Sequence, residues 1–403
     1  MLLLSLALAS AASSVQPPPP APPSSTIVVT GRRLPDYRAA LEACLARNCP
    51  PNEDIDATMA LAEALFVEGD YHGARRAILR SIGRNHDEVR NYPEPVSDLY
   101  RANARVARNL GLDRAARFST VEILETLQTG IPVEDHRHFT ARFEIAQELV
   151  AFGLYRQANG MLRDLANRAR AIGRDDVVAM AELRQMWISQ LVAPRGSPPS
   201  RQLLALANSP DPRRSMGAKM LLIRIYSENG DRSDAERLMA ELGRTTGRRQ
   251  LLFSPPYEML QRDDVEGNAR TANQLYRGQL GAGQPIVMAN TEARLVGNFD
   301  DKWIEVGFWI RPDGRVEGLE TVRRRNETTW ARPLLQSIRG RRYAASDQST
   351  YRLERYTYTA GYNEFSSGTR TVTRSPRARV EYFDLSATAV PTDPPPSTEQ
   401  PVR

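Results

Sequence analysis

The chain of 403 residues carries 54 Lys+Arg against 48 Asp+Glu, a net charge of +6 at pH 7, with 41% hydrophobic residues and two cysteines. This composition excludes a disulfide-dense mini-protein and a chain too polar to fold, and a mean hydropathy of −0.47 with no long apolar run excludes a polytopic membrane protein. Lysine occurs only at Lys219 and Lys302, so the basic charge is almost all arginine, and the length predicts two or three domains.

Residues Leu2 to Ala12 read LLLSLALASAA, a short apolar segment ending in small residues, with no Lys or Arg before it. The pattern predicts an export signal over residues 1–12, cleaved near Ala11 or Ala12. The run is too short to span a bilayer, so no transmembrane span is expected. Gln16 to Ser25 contains six prolines and predicts an extended tether over 13–34. Cys44 and Cys49 lie five apart where Pro50 stops a helix. In an exported chain that spacing predicts a disulfide closing a short turn, and no second ligand pair completes a metal site.

From Ile55 to Leu242 apolar residues recur at helical spacing, and the informative feature is self-similarity. Gly69, Gly111 and Gly153 are each 42 residues apart, and each is followed five residues later by an alanine: Ala74, Ala116 and Ala158. Gly196 and Gly230 continue the punctuation with altered spacing. The physical reading is a stack of helical hairpins, in which glycine opens the turn and alanine lets the second helix approach the first.

Leu61, Ala62, Leu65, Gly69, Tyr71 and Ala74, with Ile145, Ala146, Leu149, Gly153, Tyr155 and Ala158, resemble the tetratricopeptide repeat family. The likeness covers about half the chain, residues 35–247. Repeat two lacks the tyrosine after its glycine, and the unit around Gly196 has Ser-Pro-Pro in its turn. The resemblance implies an inner face lined by the first helix of each hairpin. It nominates Met59, Glu63, Phe66, Phe143, Gln147 and Val150 as contacts for a protein or peptide partner.

After a connector over 248–300, β-formers dominate. Trp303 to Ile310 alternates, with Ile304, Val306, Phe308 and Ile310 on one face and Trp303, Glu305 and Trp309 on the other. Arg311-Pro312-Asp313-Gly314 predicts a turn into a second strand over 316–322. A helix over 330–339 and a strand over 351–358 follow, with a further strand at 380–385. The expected fold class is α+β multidomain: a helical solenoid, then a small antiparallel ββαβ module over 301–388, then a disordered tail over 389–403.

The run Val306-Gly307-Phe308-Trp309-Ile310-Arg311-Pro312-Asp313-Gly314-Arg315-Val316, the helix Leu334-Leu335-Gln336-Ser337-Ile338 and Arg341-Arg342-Tyr343-Ala344-Ala345 resemble the C-terminal domain of TonB-type energy transducers. The resemblance implies a recognition module whose sheet edge pairs with an extended segment by strand addition. Thr26 to Arg33 resembles the start of mature TonB-dependent receptors.

Signals for chemistry are sparse. His136-Arg137-His138 would share a face only in a strand, and the surroundings are helical. No nucleophile elbow, zinc-protease motif or phosphate loop occurs, and Gly278 to Gly283 lacks the dinucleotide spacing. No catalytic residue, metal site or cofactor is expected. Residues 290–390 hold 17 Lys+Arg against 13 Asp+Glu, too even a balance for a nucleic-acid stripe. The sequence reads as a periplasmic, non-enzymatic adaptor of a Gram-negative envelope, with a divergent TonB-system component and an envelope enzyme as the alternatives.

Overall fold

The computed structural model describes residues 33–194, 196–242, 251–255, 302–326, 328–362 and 374–386. The apolar leader, the proline tether, the glycine-rich stretch at 278–283 and the proline-rich tail lie outside them. Among the described residues eleven α-helices come first: α1 (Leu34–Ala46), α2 (Pro51–Val67), α3 (Tyr71–Asn85), α4 (Pro93–Asn109), α5 (Asp113–Gly130), α6 (His136–Ala151), α7 (Tyr155–Ala171), α8 (Asp175–Val192), α9 (Arg201–Ala207), α10 (Pro212–Asn229) and α11 (Arg232–Leu242). Through α8 each packs on its chain neighbours, so α2/α3, α4/α5 and α6/α7 are three stacked hairpins, and α10 packs on α8, α9 and α11. No described helix is long and apolar enough to cross a membrane.

The 42-residue period has a concrete basis. At all three turns the glycine lies at positive φ, between +71° and +83°. Its N–H meets the carbonyl three residues back, Phe66, Arg108 or Val150, and the next N–H meets the carbonyl five residues before it, Leu65, Ala107 or Leu149. These bonds satisfy the helix-end carbonyls that would otherwise be orphaned. Ala74, Ala116 and Ala158 are each 0% exposed where the second helix closes on the first. The period exceeds a minimal hairpin because the helices run to 15–18 residues and a 3-10 turn at His86–Glu88 joins the first two repeats. The unit at Gly196 has only the seven-residue α9 as its second helix, consistent with prolines in its turn.

Cys44 and Cys49 are disulfide-bonded, with Cα atoms 5.2 Å apart, and join the end of α1 to the approach to α2. Glu53 completes the one group of three potential ligand residues among the described residues. With both sulfurs in the bond, no thiolate is left to bind an ion.

The C-terminal module contains β2 (Trp303–Ile310), β3 (Val316–Arg325), α12 (Arg332–Arg339), β4 (Arg342–Tyr343), β5 (Thr350–Tyr362) and β6 (Arg374–Asp384). The main sheet is antiparallel in the order β3-β2-β5-β6. Its fourth strand, β6, starts six residues before the further strand expected at 380–385 and pairs along β5 from Tyr362 back to Glu354, so the sheet is fuller than the expected ββαβ arrangement. A three-residue β1 (Leu251–Phe253), within the expected connector, pairs with β4 in a second small sheet.

One face of the main sheet forms a core on α12, with Ile304, Val306, Phe308, Ile310, Tyr356 and Tyr358 against Leu334 and Ile338. At one end of it Arg341 and Glu354 form a buried pair, 2.7 Å apart. Tyr356 also donates to Glu354, so burial and this carboxylate push its hydroxyl well above the usual range. The other face of the sheet lies on the helical array. The module also meets the last repeats, because Leu252 and Ala344 share a buried cluster with Leu203 and Leu222.

Candidate functional site

Counting back from each hairpin glycine defines a ladder of equivalent first-helix positions. Met59, Arg101 and Phe143 form one rung set, Glu63, Arg105 and Gln147 the next, and Phe66, Arg108 and Val150 the one nearest the turn. The six nominated residues fill the repeat-one and repeat-three positions. The structure gives the two repeats different surroundings.

In repeat one the chain's own sheet covers the turn end of the ladder. Phe66 is 4% exposed, with the Phe383 ring edge-on at 4.9 Å between centroids. Met59 is half-buried beside the same core, while Glu63 is exposed. Phe66 is therefore an internal contact, unavailable to a partner while the module is docked. Trp303 lies over the turn so closely that a Cβ at Gly69 would sit 2.7 Å from its Nε1.

Arg355, 1% exposed, anchors this contact. It pairs with Glu305 and donates to the carbonyls of Phe66 and Val67, the open C-terminal end of α2. Arg323 donates to the same Val67 carbonyl at 2.8 Å and to Glu305 at 2.8 Å. Cations at a helix C-terminus satisfy its orphaned carbonyls and complement its dipole. The Arg355 guanidinium also lies 4.4 Å over the Trp303 ring, and Tyr71 shares a 2.8 Å hydrogen bond with Thr357.

Repeat two carries arginine on all three rungs. Arg101 pairs with Glu144 at 3.0 Å, and Arg105 lies over the Phe383 ring. Arg108 bridges Glu148 of repeat three, at 2.5 Å, and Glu381 of the module, at 3.1 Å. Burial depresses the Arg108 pKa, but the two carboxylates outweigh it and hold the group above its ordinary value. Arg379 completes the contact by donating to the Arg108 carbonyl at 3.1 Å and to Asp113. These arginines were not nominated from sequence, although one 42-residue step from Met59, Glu63 and Phe66 lands on them.

In repeat three the ladder borders a cavity of about 310 Å³. Ala146, Gln147 and Val150 of α6 form one wall, Leu162 of α7 another, and Arg184, Trp187 and Ile188 of α8 a third. Phe143 lies alongside, under the Arg184 guanidinium at 4.6 Å. The structure thus brings Phe143, Gln147 and Val150 to one site, and adds Arg184 and Trp187, which no repeat spacing marks. Burial pulls the Arg184 pKa down.

The histidine pair is divided by helical geometry. His136 is exposed beside Asp135, whereas His138 is fully buried with Nε2 donating to the Ile131 carbonyl at 3.2 Å.

No protein-family model and no curated protein sequence matches the chain. Among solved structures it is similar to BtubC (BKLC) from P. vanneervenii, with 15% identity and a TM-score of 0.39, over 56% of this chain and 98% of that one. It is also similar to a putative kinesin light chain from Podosopora anserina with nearly identical TPR-like repeats, with 15% identity and a TM-score of 0.31, over 52% of this chain and 83% of that one. The reading of this region as a TPR-like solenoid stands on the chain's own turns and buried alanines.

Proposed function

We propose that the chain is a non-enzymatic scaffold of the bacterial cell envelope. Its third repeat receives an extended protein segment, while its C-terminal module holds the first two repeats. One observation carries this reading: of three equivalent ladders, the module covers repeat one, arginine pairs fill repeat two, and repeat three borders a cavity. Stacked helical hairpins present extended binding surfaces of this kind. The apolar leader, the proline tether and the Cys44–Cys49 disulfide support export to an oxidising compartment.

A photo-crosslinking residue at Gln147 tests the scaffold reading in cells. Protein adducts are expected there and not from Arg163 on α7, and equal labelling at both positions would end the proposal. A reporter fused after residue 33 tests export, because activity confined to the cytoplasm contradicts it.

A second reading, a TonB-like module that accepts a strand, is favoured by one feature. Among the described residues β3 pairs only with β2, and its outer edge is exposed. Two register shifts against β2 and an arginine run at 323–325 blunt that edge. The scaffold reading is therefore preferred.

A further inference from the structure

We propose that the repeat-three cavity selects an acidic peptide segment, one that seats a bulky apolar side chain among Val150, Leu162, Trp187 and Ile188 and brings an adjacent carboxylate to Arg184. The inference rests on the scaffold reading and names the chemistry of its ligand.

The walls contributed by Val150, Leu162 and Ile188 are apolar, and about 310 Å³ suits one large side chain rather than an extended cofactor. The decisive contrast lies in the arginines. Arg101 and Arg108, on the neighbouring repeat, each hold a carboxylate. Arg184 has no carboxylate partner among the described residues and rests on the Phe143 ring instead. The nearby acids are committed elsewhere: Glu144 to Arg101, and Glu182 to Arg170 and Arg214.

A half-buried guanidinium has lost part of its hydration, and an arriving carboxylate restores it with charge-assisted, bidentate hydrogen bonds. Trp187 adds a rigid aromatic contact flanked by a second cation, Arg224, at 5.8 Å. Tryptophan and arginine side by side in a partly desolvated pocket are the residue types that dominate binding energy at interfaces.

The test uses the full chain on an array of Gly/Ser decapeptides in which two adjacent central positions are varied through all residue types. Retained peptides are expected to pair Leu, Ile, Phe or Trp with Asp or Glu. Fluorescence anisotropy on the best of them should show a loss of about tenfold when the acid becomes its amide. Arg184→Gln should produce the same loss and leave acid and amide peptides indistinguishable, and Arg184→Lys should recover part of it. The amide peptide leaves the protein untouched, so the outcome does not depend on how a variant folds.

Acid-selective binding that survives Arg184→Gln, or no preference for acidic peptides, overturns the proposal. Neutral apolar peptides retained by wild type and lost in Val150→Trp would overturn acid selection and leave the scaffold reading standing. So would a crosslinked partner at Gln147 with no acidic peptide retained. No retained peptide and no adduct at Gln147 would remove both.

Discussion

Repeats one and three are built on the same hairpin and end in different surroundings. Both close on a glycine at positive φ with the same pair of turn hydrogen bonds, and both bury an alanine five residues later. The difference is one side chain and what reaches it. Phe66 meets Phe383 and the Arg355 guanidinium, whereas its counterpart Val150 lines a cavity. Even the glycines differ in their second role, because a Cβ at Gly69 would strike Trp303 and one at Gly153 would meet nothing within 4 Å. The hairpin is a neutral frame, and the ladder residue decides whether a repeat is used inside the molecule or offered outside it.

The contrast is most easily broken at Arg355. Arg355→Met leaves Glu305 buried with only Arg323 and removes one donor each from the carbonyls of Phe66 and Val67, which keep the Gly69 N–H and Arg323. Removing one partner of a buried ion pair costs about 3–5 kcal/mol, to be read from urea unfolding followed by circular dichroism. Hydrogen exchange should lose protection at 66–70 and 355–359 while α6 to α8 keep theirs. Uniform loss across all repeats would show that the module does not dock on repeat one specifically.

Gly69→Ala and Gly153→Ala separate the turn from the docking contact. Each places a Cβ in the left-handed region, at about 1–2 kcal/mol. Only the first also displaces Trp303, adding about 1–3 kcal/mol of overpacking. Equal losses in the two variants would contradict the packed interface. Next in size is the disulfide, which repeat three lacks. Cys44→Ser with Cys49→Ser should lower stability by about 2 kcal/mol through the unfolded chain, and a reductant should reproduce the change in wild type without altering peptide binding at Arg184.

Much of this comparison is legible in the sequence. The glycine period, the helices between and the β2–β3 hairpin over Arg311 to Gly314 are local features, set by periodicity and turn chemistry. The strand face carrying Glu305, Arg355, Thr357 and Glu381 is different. Alternation marks it as a solvent face, yet all four residues are buried. Their partners lie far away in sequence, as Arg355 to the Phe66 carbonyl spans 289 positions, and no local pattern reports that distance. Only the second half of β6 is legible, at 380–385, since arginines and Pro376 interrupt the apolar alternation of its first half. Of the site itself, Phe143, Gln147 and Val150 follow from the repeat register. Arg184 and Trp187 do not, because α8 lies outside the 42-residue series.

The smallest expected effects are titrations, and they differ in sign between the repeats. Asp54, on α2 of repeat one, is buried, which alone would raise its pKa. Hydrogen bonds from Arg84 and Asn85, the Arg84 charge and a bond from Thr58 outweigh that and hold it below the ordinary carboxylate value. A depressed folded pKa contributes stability above the unfolded value, near 4, that is lost as pH falls below it. Glu148, at the end of α6 in repeat three, is desolvated beside Arg108 and Glu381, and its pKa is raised. Its contribution is therefore present at low pH and lost as pH rises from the unfolded value through the folded one. Urea midpoints between about pH 3 and pH 7 should show Asp54→Asn flattening the acid limb of the stability curve. Glu148→Gln should instead steepen it, because the mutation removes a group that favours the acid side. A steeper limb in Asp54→Asn, or a flatter one in Glu148→Gln, would mean that the two carboxylates do not sit in these opposed environments, one held by donors within its own hairpin and the other desolvated where repeats two and three meet the module.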